Sequence, residues 1–134
     1  MNLEQQVCSL ELAKRLKELG AKQESVTYWM DGDLYFPGNL GILQKRTDRE
    51  VVAAFTVAEL EKMVPQEINL PFKNGKKRSH NHWRVIGKPR PNGYAARYIG
   101  GNSITNFEAR GDTFADSLAA MLVYLIENKL ITLP

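Results

Sequence analysis

The sequence is short of four things, and each shortage removes a class of reading. It has one cysteine, Cys8, so no intrachain disulfide can form, which fits a reducing, cytoplasmic setting. It has two histidines, His80 and His82, with no cysteine near them, so a metal held there would need its third ligand from elsewhere in the fold. It has no long apolar run. The longest uncharged stretch near the C-terminus, Ser117 to Ile126, is ten residues, against the roughly twenty that a membrane span requires. The chain does not open on a charged segment followed by an apolar one, so no signal peptide is expected. Finally, residues 68–107 contain no aspartate or glutamate at all.

That last absence organises the charge. The formal net charge of the 134 residues is +3. The acid-free segment holds eight basic residues, Lys73, Lys76, Lys77, Arg78, Arg84, Lys88, Arg90 and Arg97. The rest of the chain carries ten basic against fifteen acidic side chains, a net of −5. A basic middle between acidic flanks points to an anionic partner for the middle, or to flanks and middle neutralising each other in the fold.

The chain length fits one domain, 1–134, able to bury a real core. Ser9 is a good N-cap, Leu12, Ala13, Leu16 and Leu19 repeat at helical spacing, and Gly20 can close the helix in a left-handed conformation. Val26, Tyr28 and Met30 alternate with Thr27 and Trp29, Asp31-Gly32-Asp33 is a turn, and Leu34-Tyr35-Phe36 returns as a second strand. A loop follows at Pro37-Gly38-Asn39, and Glu50 to Phe55 has the composition of a short strand. Thr56-Val57-Ala58-Glu59 is a capping box, with Phe55 and Leu60 at the staple positions, and Pro65 stops that helix near Met63.

The basic middle reads as a hairpin. Trp83 and Val85 fall on one face and Arg84 and Ile86 on the other, with Trp83 expected in the core. Residues 89–93 connect the strands, and a two-residue Asn92-Gly93 turn would set Lys88 opposite Arg97, which like charges disfavour. Ile104 to Ala109 adds a further strand after Gly100-Gly101-Asn102. Thr113 caps a last helix whose Phe114, Leu118, Met121, Leu122 and Leu125 form an apolar stripe that Ala115, Ala119 and Ile126 widen. Only a narrow wedge around Asp116, Ala120 and Glu127 is left for water. The order α-β-β-α-β-β-β-α lacks βαβ alternation and predicts an α+β fold, an antiparallel sheet with helices packed on it.

No catalytic constellation emerges. The letters His80-Asn81-His82 are not an HNH nuclease site, which spreads its residues over separate elements. Alternation along a strand also turns Asn81 away from both histidines. Tyr98-Ile99-Gly100 is half of a GIY-YIG signature whose other half is missing, since Gly41-Ile42 is followed by Leu43. Cys8 has no histidine near it in the chain and reads as a buried structural thiol. Asp31 and Asp33 flank a glycine and read as turn residues. No cofactor motif is present, and the chain is expected not to be an enzyme.

Ser9–Gly20, Tyr28-Trp29, Phe55–Leu60 and Leu122–Ile131 together resemble a group of small phage- and prophage-encoded proteins, over about half the chain. That resemblance implies a cytoplasmic, phage-associated protein with no assigned activity. Gly93-Tyr94-Ala95-Ala96, Ala109–Thr113 and the helix carrying Ala115, Leu118 and Ala119 are similar to HicB-type antitoxins, whose N-terminal domain has a β-β-β-α core. The expectation is therefore a small binding module acting through an acidic protein partner or self-association. The alternative is nucleic acid held by the basic segment 73–97, with Trp83, Tyr94 and Tyr98 interleaved for stacking.

Overall fold

The structure, a computed structural model, describes residues 3–36, 50–71, 79–90, 93–100 and 105–133. For residues 3–4, 69–71, 79–90, 99–100 and 105–107 the backbone alone is described. The loop at residues 37–41, Lys73, Lys76, Lys77, Arg78, Asn92 and residues 101–102 lie outside the described residues.

The elements run α1 (Leu3–Gln6), α2 (Leu10–Glu18), β1 (Tyr28–Met30), β2 (Asp33–Tyr35), β3 (Val51–Ala53), α3 (Val57–Met63), β4 (Glu67–Pro71), β5 (Ser79–Arg90), β6 (Gly93–Gly100), β7 (Thr105–Gly111) and α4 (Phe114–Glu127). The fold is α+β and every ladder among the described residues is antiparallel, as expected; β3 falls in the Glu50–Phe55 segment that has strand composition, and α1 and β4 are added to the predicted order. The strands divide into two sheets, β2-β1-β3 and β4-β5-β6-β7. β4 was not expected, although Glu67-Ile68-Asn69-Leu70 alternates polar and apolar residues; it is an edge strand ending in Pro71, a residue that ladders tolerate only at an edge or a strand end.

Local chemistry sets each helix boundary. The Ser9 hydroxyl accepts from Leu12 N–H, and Gly20, at φ +95°, follows the last turn of α2. The bonds Ala21 N–H to Leu16 O and Gly20 N–H to Lys17 O complete a Schellman closure. The Thr56 hydroxyl accepts from Glu59 N–H at 3.2 Å while Glu59 Oε1 accepts from Thr56 N–H at 2.9 Å. The same carboxylate oxygen takes the Ser25 hydroxyl at 2.7 Å, so the capping box also fastens the approach to β1. Asp31 and Gly32 both have positive φ, which identifies the β1–β2 connection as a two-residue I′ turn.

α4 is the hub. Ala115, Ser117, Leu118, Ala119, Met121, Leu122 and Leu125 are buried along it. It packs on β6 and β7 on one side and against α2 and α3 on the other. One core cluster joins it to Leu16, Val52, Phe55, Leu60, Tyr98 and Ala109, drawn from both sheets and from α2 and α3. Of the predicted apolar arc, Leu118, Met121, Leu122 and Leu125 have no exposed surface, while Phe114 and Ile126 are partly buried.

The wedge expected to face water keeps Glu127 exposed, and it also seats α2. Asp116 Oδ1 accepts from Ser9 N–H at 2.7 Å, and Glu127 Oε1 takes Arg15 Nη2 at 2.6 Å and Nε at 2.8 Å. The physical reason is complementarity. A carboxylate near the start of α4 meets the unsatisfied N–H at the start of α2, and one near its end meets a guanidinium. Cys8, one residue upstream, donates its N–H to Phe55 O at 2.9 Å, and its carbonyl accepts Trp29 Nε1 at 3.0 Å.

Gly111 lies tight against the first turn of α4. A Cβ there would stand 2.6 Å from Ser117 N and 2.7 Å from the Asp116 carbonyl carbon. Gly111→Ala should destabilise the fold by about 1–3 kcal/mol, measured by urea unfolding. Burial outweighs the Ser9 N–H bond and holds the Asp116 carboxyl above the ordinary aspartate range, with Asp112 and Glu11 adding repulsion. A raised acid favours the protonated folded state, so its contribution is present at low pH and is lost as pH rises through the folded pKa. Asp116→Asn should therefore flatten the stability–pH curve across the carboxylate range relative to wild type.

Candidate anion-binding face

The basic middle builds the four-stranded sheet, and the register of that sheet decides where its charges go. Residues directly opposed across the ladder share a face. One set of rows contains Ile86–Ala96–Ala109 and Arg84–Tyr98–Phe107. Ala96, Tyr98 and Ala109 are buried in the core, so this set faces α4. The alternate rows are Arg90–Gly93, Lys88–Ala95–Arg110, Val85–Arg97–Glu108 and Glu67–Trp83–Ile99–Thr105. These occupy the outer face, on which no other helix among the described residues packs extensively.

This arrangement answers the like-charge problem at the hairpin in a way that the sequence did not show. β5 and β6 pair through Arg90 and Gly93, and the register shifts between Ile86 and Lys88. Lys88 then faces Ala95, and Arg97 faces Val85 on one side and Glu108 on the other. The pairing of Arg90 with Gly93, rather than the register of an Asn92-Gly93 turn, removes the repulsion, and the bulge then carries Arg97 onto Val85.

Of the eight basic candidates, Lys73, Lys76, Lys77 and Arg78 lie outside the described residues. The register collects Lys88, Arg90 and Arg97 on the outer face and separates Arg84, whose row is that of buried Tyr98. Arg110, which lies beyond the acid-free segment, joins the outer face in the row of Lys88 and Ala95. Composition could not find Arg110, although the alternation of β7, with Ala109 buried and Arg110 exposed, carries the signal.

Arg97 is half-buried, and its Nε is buried with no hydrogen-bond partner among the described residues. Glu108 beside it binds Arg110, Oε2 to Nη2 at 3.1 Å and to Nε at 3.2 Å. The face is thus mixed in sign, four basic positions against Glu67 and Glu108, with the excess positive.

The aromatic residues sort differently from expectation. Tyr98 is fully buried and its hydroxyl donates to Pro65 O, and Tyr94 sits on the helix side with its ring 6.0 Å from that of Phe114. Neither can stack on a ligand held by the outer face. Trp83, expected in the core, has its register position in the outer row with Glu67 and Ile99. Alternation alone cannot say which set of rows meets the helix; the packing of α4 on Ala96 and Ala109 decides it.

His80 and His82 hold alternate positions on β5, in the rows of Leu70 and Ile68, with Asn81 in the opposite set. Among the described residues no group of three histidine, cysteine, aspartate or glutamate side chains is placed to hold a metal. Asp31 lines a small cleft of about 280 Å³ with Lys14, Trp29 and Glu50, and Asp33 closes the hairpin opposite Met30. No helix among the described residues is long and apolar enough to cross a membrane. Compared with known proteins, no family model, no curated protein and no solved structure matches this chain.

Cys8 has no exposed surface, and burial pushes its thiol up to about 12, with repulsion from Asp116 and Glu59 adding to the effect. A thiol in that state is not a nucleophile. Native protein at pH 8 should resist alkylation by iodoacetamide over a time in which urea-unfolded protein reacts fully, read by intact mass.

Proposed function

We propose that this protein is a small phage- or prophage-derived, cytoplasmic binding module without catalytic activity, which acts by contacting an anionic partner through the outer face of the four-stranded sheet. The observation that carries the reading is the register. It sets Lys88, Arg90, Arg97 and Arg110 on adjacent rows of one face, within a chain whose net charge is only +3. Charge sorted onto one face gives local attraction that the total does not reveal. An acidic protein surface and nucleic acid are the partner classes such a face selects. A second copy of this chain is a specific case of the first, because the residues outside 68–107 carry a net of −5.

The test uses heparin as a defined polyanion. Replacing Lys88, Arg90, Arg97 and Arg110 together with alanine should lower the salt concentration needed for elution. A control in which the exposed Lys14, Lys22, Lys62 and Lys129 are replaced instead should elute close to wild type, although it loses the same formal charge. Equal shifts in the two variants would mean that net charge alone governs binding, and the reading would fail. Sedimentation at low and high salt reads the self-association case: a dimer that the outer-face substitutions dissolve supports it, and a monomer throughout removes it.

A further inference from the structure

We infer that the cleft between α2 and the β1–β3 ladder is a binding site for a free α-amino acid with an apolar side chain. It belongs to the other sheet from the anion-binding face and does not rest on the reading above. Its volume of about 280 Å³ lies at the lower edge of the range usual for small-molecule sites, so it suits a ligand of amino-acid size rather than a nucleotide or a large cofactor.

The floor of the cleft is apolar and fixed. Trp29 and Val52 are opposed across the ladder, share a face, and are both buried. The indole is held in place by its Nε1, which donates to Cys8 O at 3.0 Å. Leu10, at the start of α2, completes the apolar part.

The rim is charged, and its signs are sorted. Lys14 stands one helical turn after Leu10, so α2 supplies a cation beside the apolar floor. Lys14 has no carboxylate partner among the described residues, whereas its neighbour Lys17 binds Glu50 and Val51 O. The ladder side supplies the anions. Asp31 follows Met30 and Glu50 precedes Val51, so both stand at the end of the ladder marked by the Met30–Val51 pair, and both line the cleft. Lys17 Nζ is 3.6 Å from Glu50 Oε1, beyond hydrogen-bond reach, so the Glu50 carboxylate keeps acceptor capacity for a further donor.

An amino acid is the smallest ligand that uses all three features. Its carboxylate meets Lys14, its ammonium meets Glu50 and Asp31, and its side chain covers Trp29, Val52 and Leu10. A purely anionic ligand would face two carboxylates across from one lysine, and a purely cationic ligand would face Lys14, so each meets repulsion that the zwitterion avoids.

The experiment follows the Trp29 indole N–H in ¹H–¹⁵N spectra as L-leucine is added. Of the two tryptophan signals, the one that remains in Trp83→Phe is that of Trp29. L-Leucine should shift it saturably by about 10 mM, and glycine, which lacks the apolar side chain, should not. N-acetyl-L-leucine, which lacks the ammonium, and L-leucinamide, which lacks the carboxylate, should each bind about two- to five-fold more weakly. Lys14→Gln should weaken L-leucine by about the same two- to five-fold and leave L-leucinamide unchanged. Glu50→Gln should weaken L-leucine similarly and leave N-acetyl-L-leucine unchanged. Lys14 and Glu50 are both exposed, so neither substitution disturbs the core.

No saturable shift with L-leucine, L-isoleucine or L-phenylalanine by about 10 mM would remove the site. Equal binding of L-leucine, its N-acetyl form and its amide, with both variants silent, would leave an apolar cleft without charge recognition and overturn the assignment. Tighter binding of N-acetyl-L-leucine than of L-leucine would overturn it in favour of a monocarboxylate anchored by Lys14.

Discussion

The structure depends on one constraint: α4 is apolar around most of its circumference and must be covered from more than one side. Seven of its residues are buried, among them Leu118, Met121, Leu122 and Leu125 with no exposed surface. Fully burying each large side chain contributes about 1.5–3 kcal/mol before ordering costs are counted. One sheet face cannot surround such a helix, so α2 and α3 close over the side that β6 and β7 leave open. The two carboxylates left on that side are used rather than wasted. Asp116 and Glu127 bind the start and the middle of α2, so the polar remnant of α4 becomes the docking line for the helix that completes the core.

The same constraint produces the outer face. Because α4 takes the rows of Ala96, Tyr98 and Ala109, the alternate rows are left to the other side, and these carry most of the charge that β5, β6 and β7 bring. The β5 bulge between Ile86 and Lys88 preserves this division along the whole hairpin: without it, Lys88 and Arg90 would change sides relative to Arg97. Small residues are required where the elements meet most closely. Gly111 lies against the first turn of α4, and Gly93, at φ +124°, faces the Gly111 carbonyl so closely that a Cβ would overlap it. The turn-then-cap segment Gly111-Asp112-Thr113 therefore has a steric reason as well as a capping one.

Features whose signals are local were legible in the sequence. The Ser9 and Thr113 caps, the Thr56–Glu59 capping box, the Asp31-Gly32 turn and the left-handed Gly20 each involve residues within a few positions of one another, and short-range sterics and hydrogen bonding decide them. Features that depend on distant partners were not. Asp116 lies 107 residues from Ser9, and nothing in either neighbourhood announces the bond. Tyr94 and Tyr98 looked available for stacking until α4 and Pro65 claimed them. Arg110 was hidden because it lies outside the acid-free run and next but one to Glu108.

By itself, the sequence determined that the fold is antiparallel α+β, where most of its helices and turns begin and end, and that positive charge concentrates in residues 68–107. Those properties follow from periodicity, capping chemistry and composition, which are written along the chain. Only the tertiary structure decided which face of the hairpin meets the helix. That choice sends Arg84 to one side and Arg97, Lys88 and Arg90 to the other, and admits Arg110. Period-two alternation specifies two faces without ranking them, and the ranking comes from the burial of α4, which no single strand encodes.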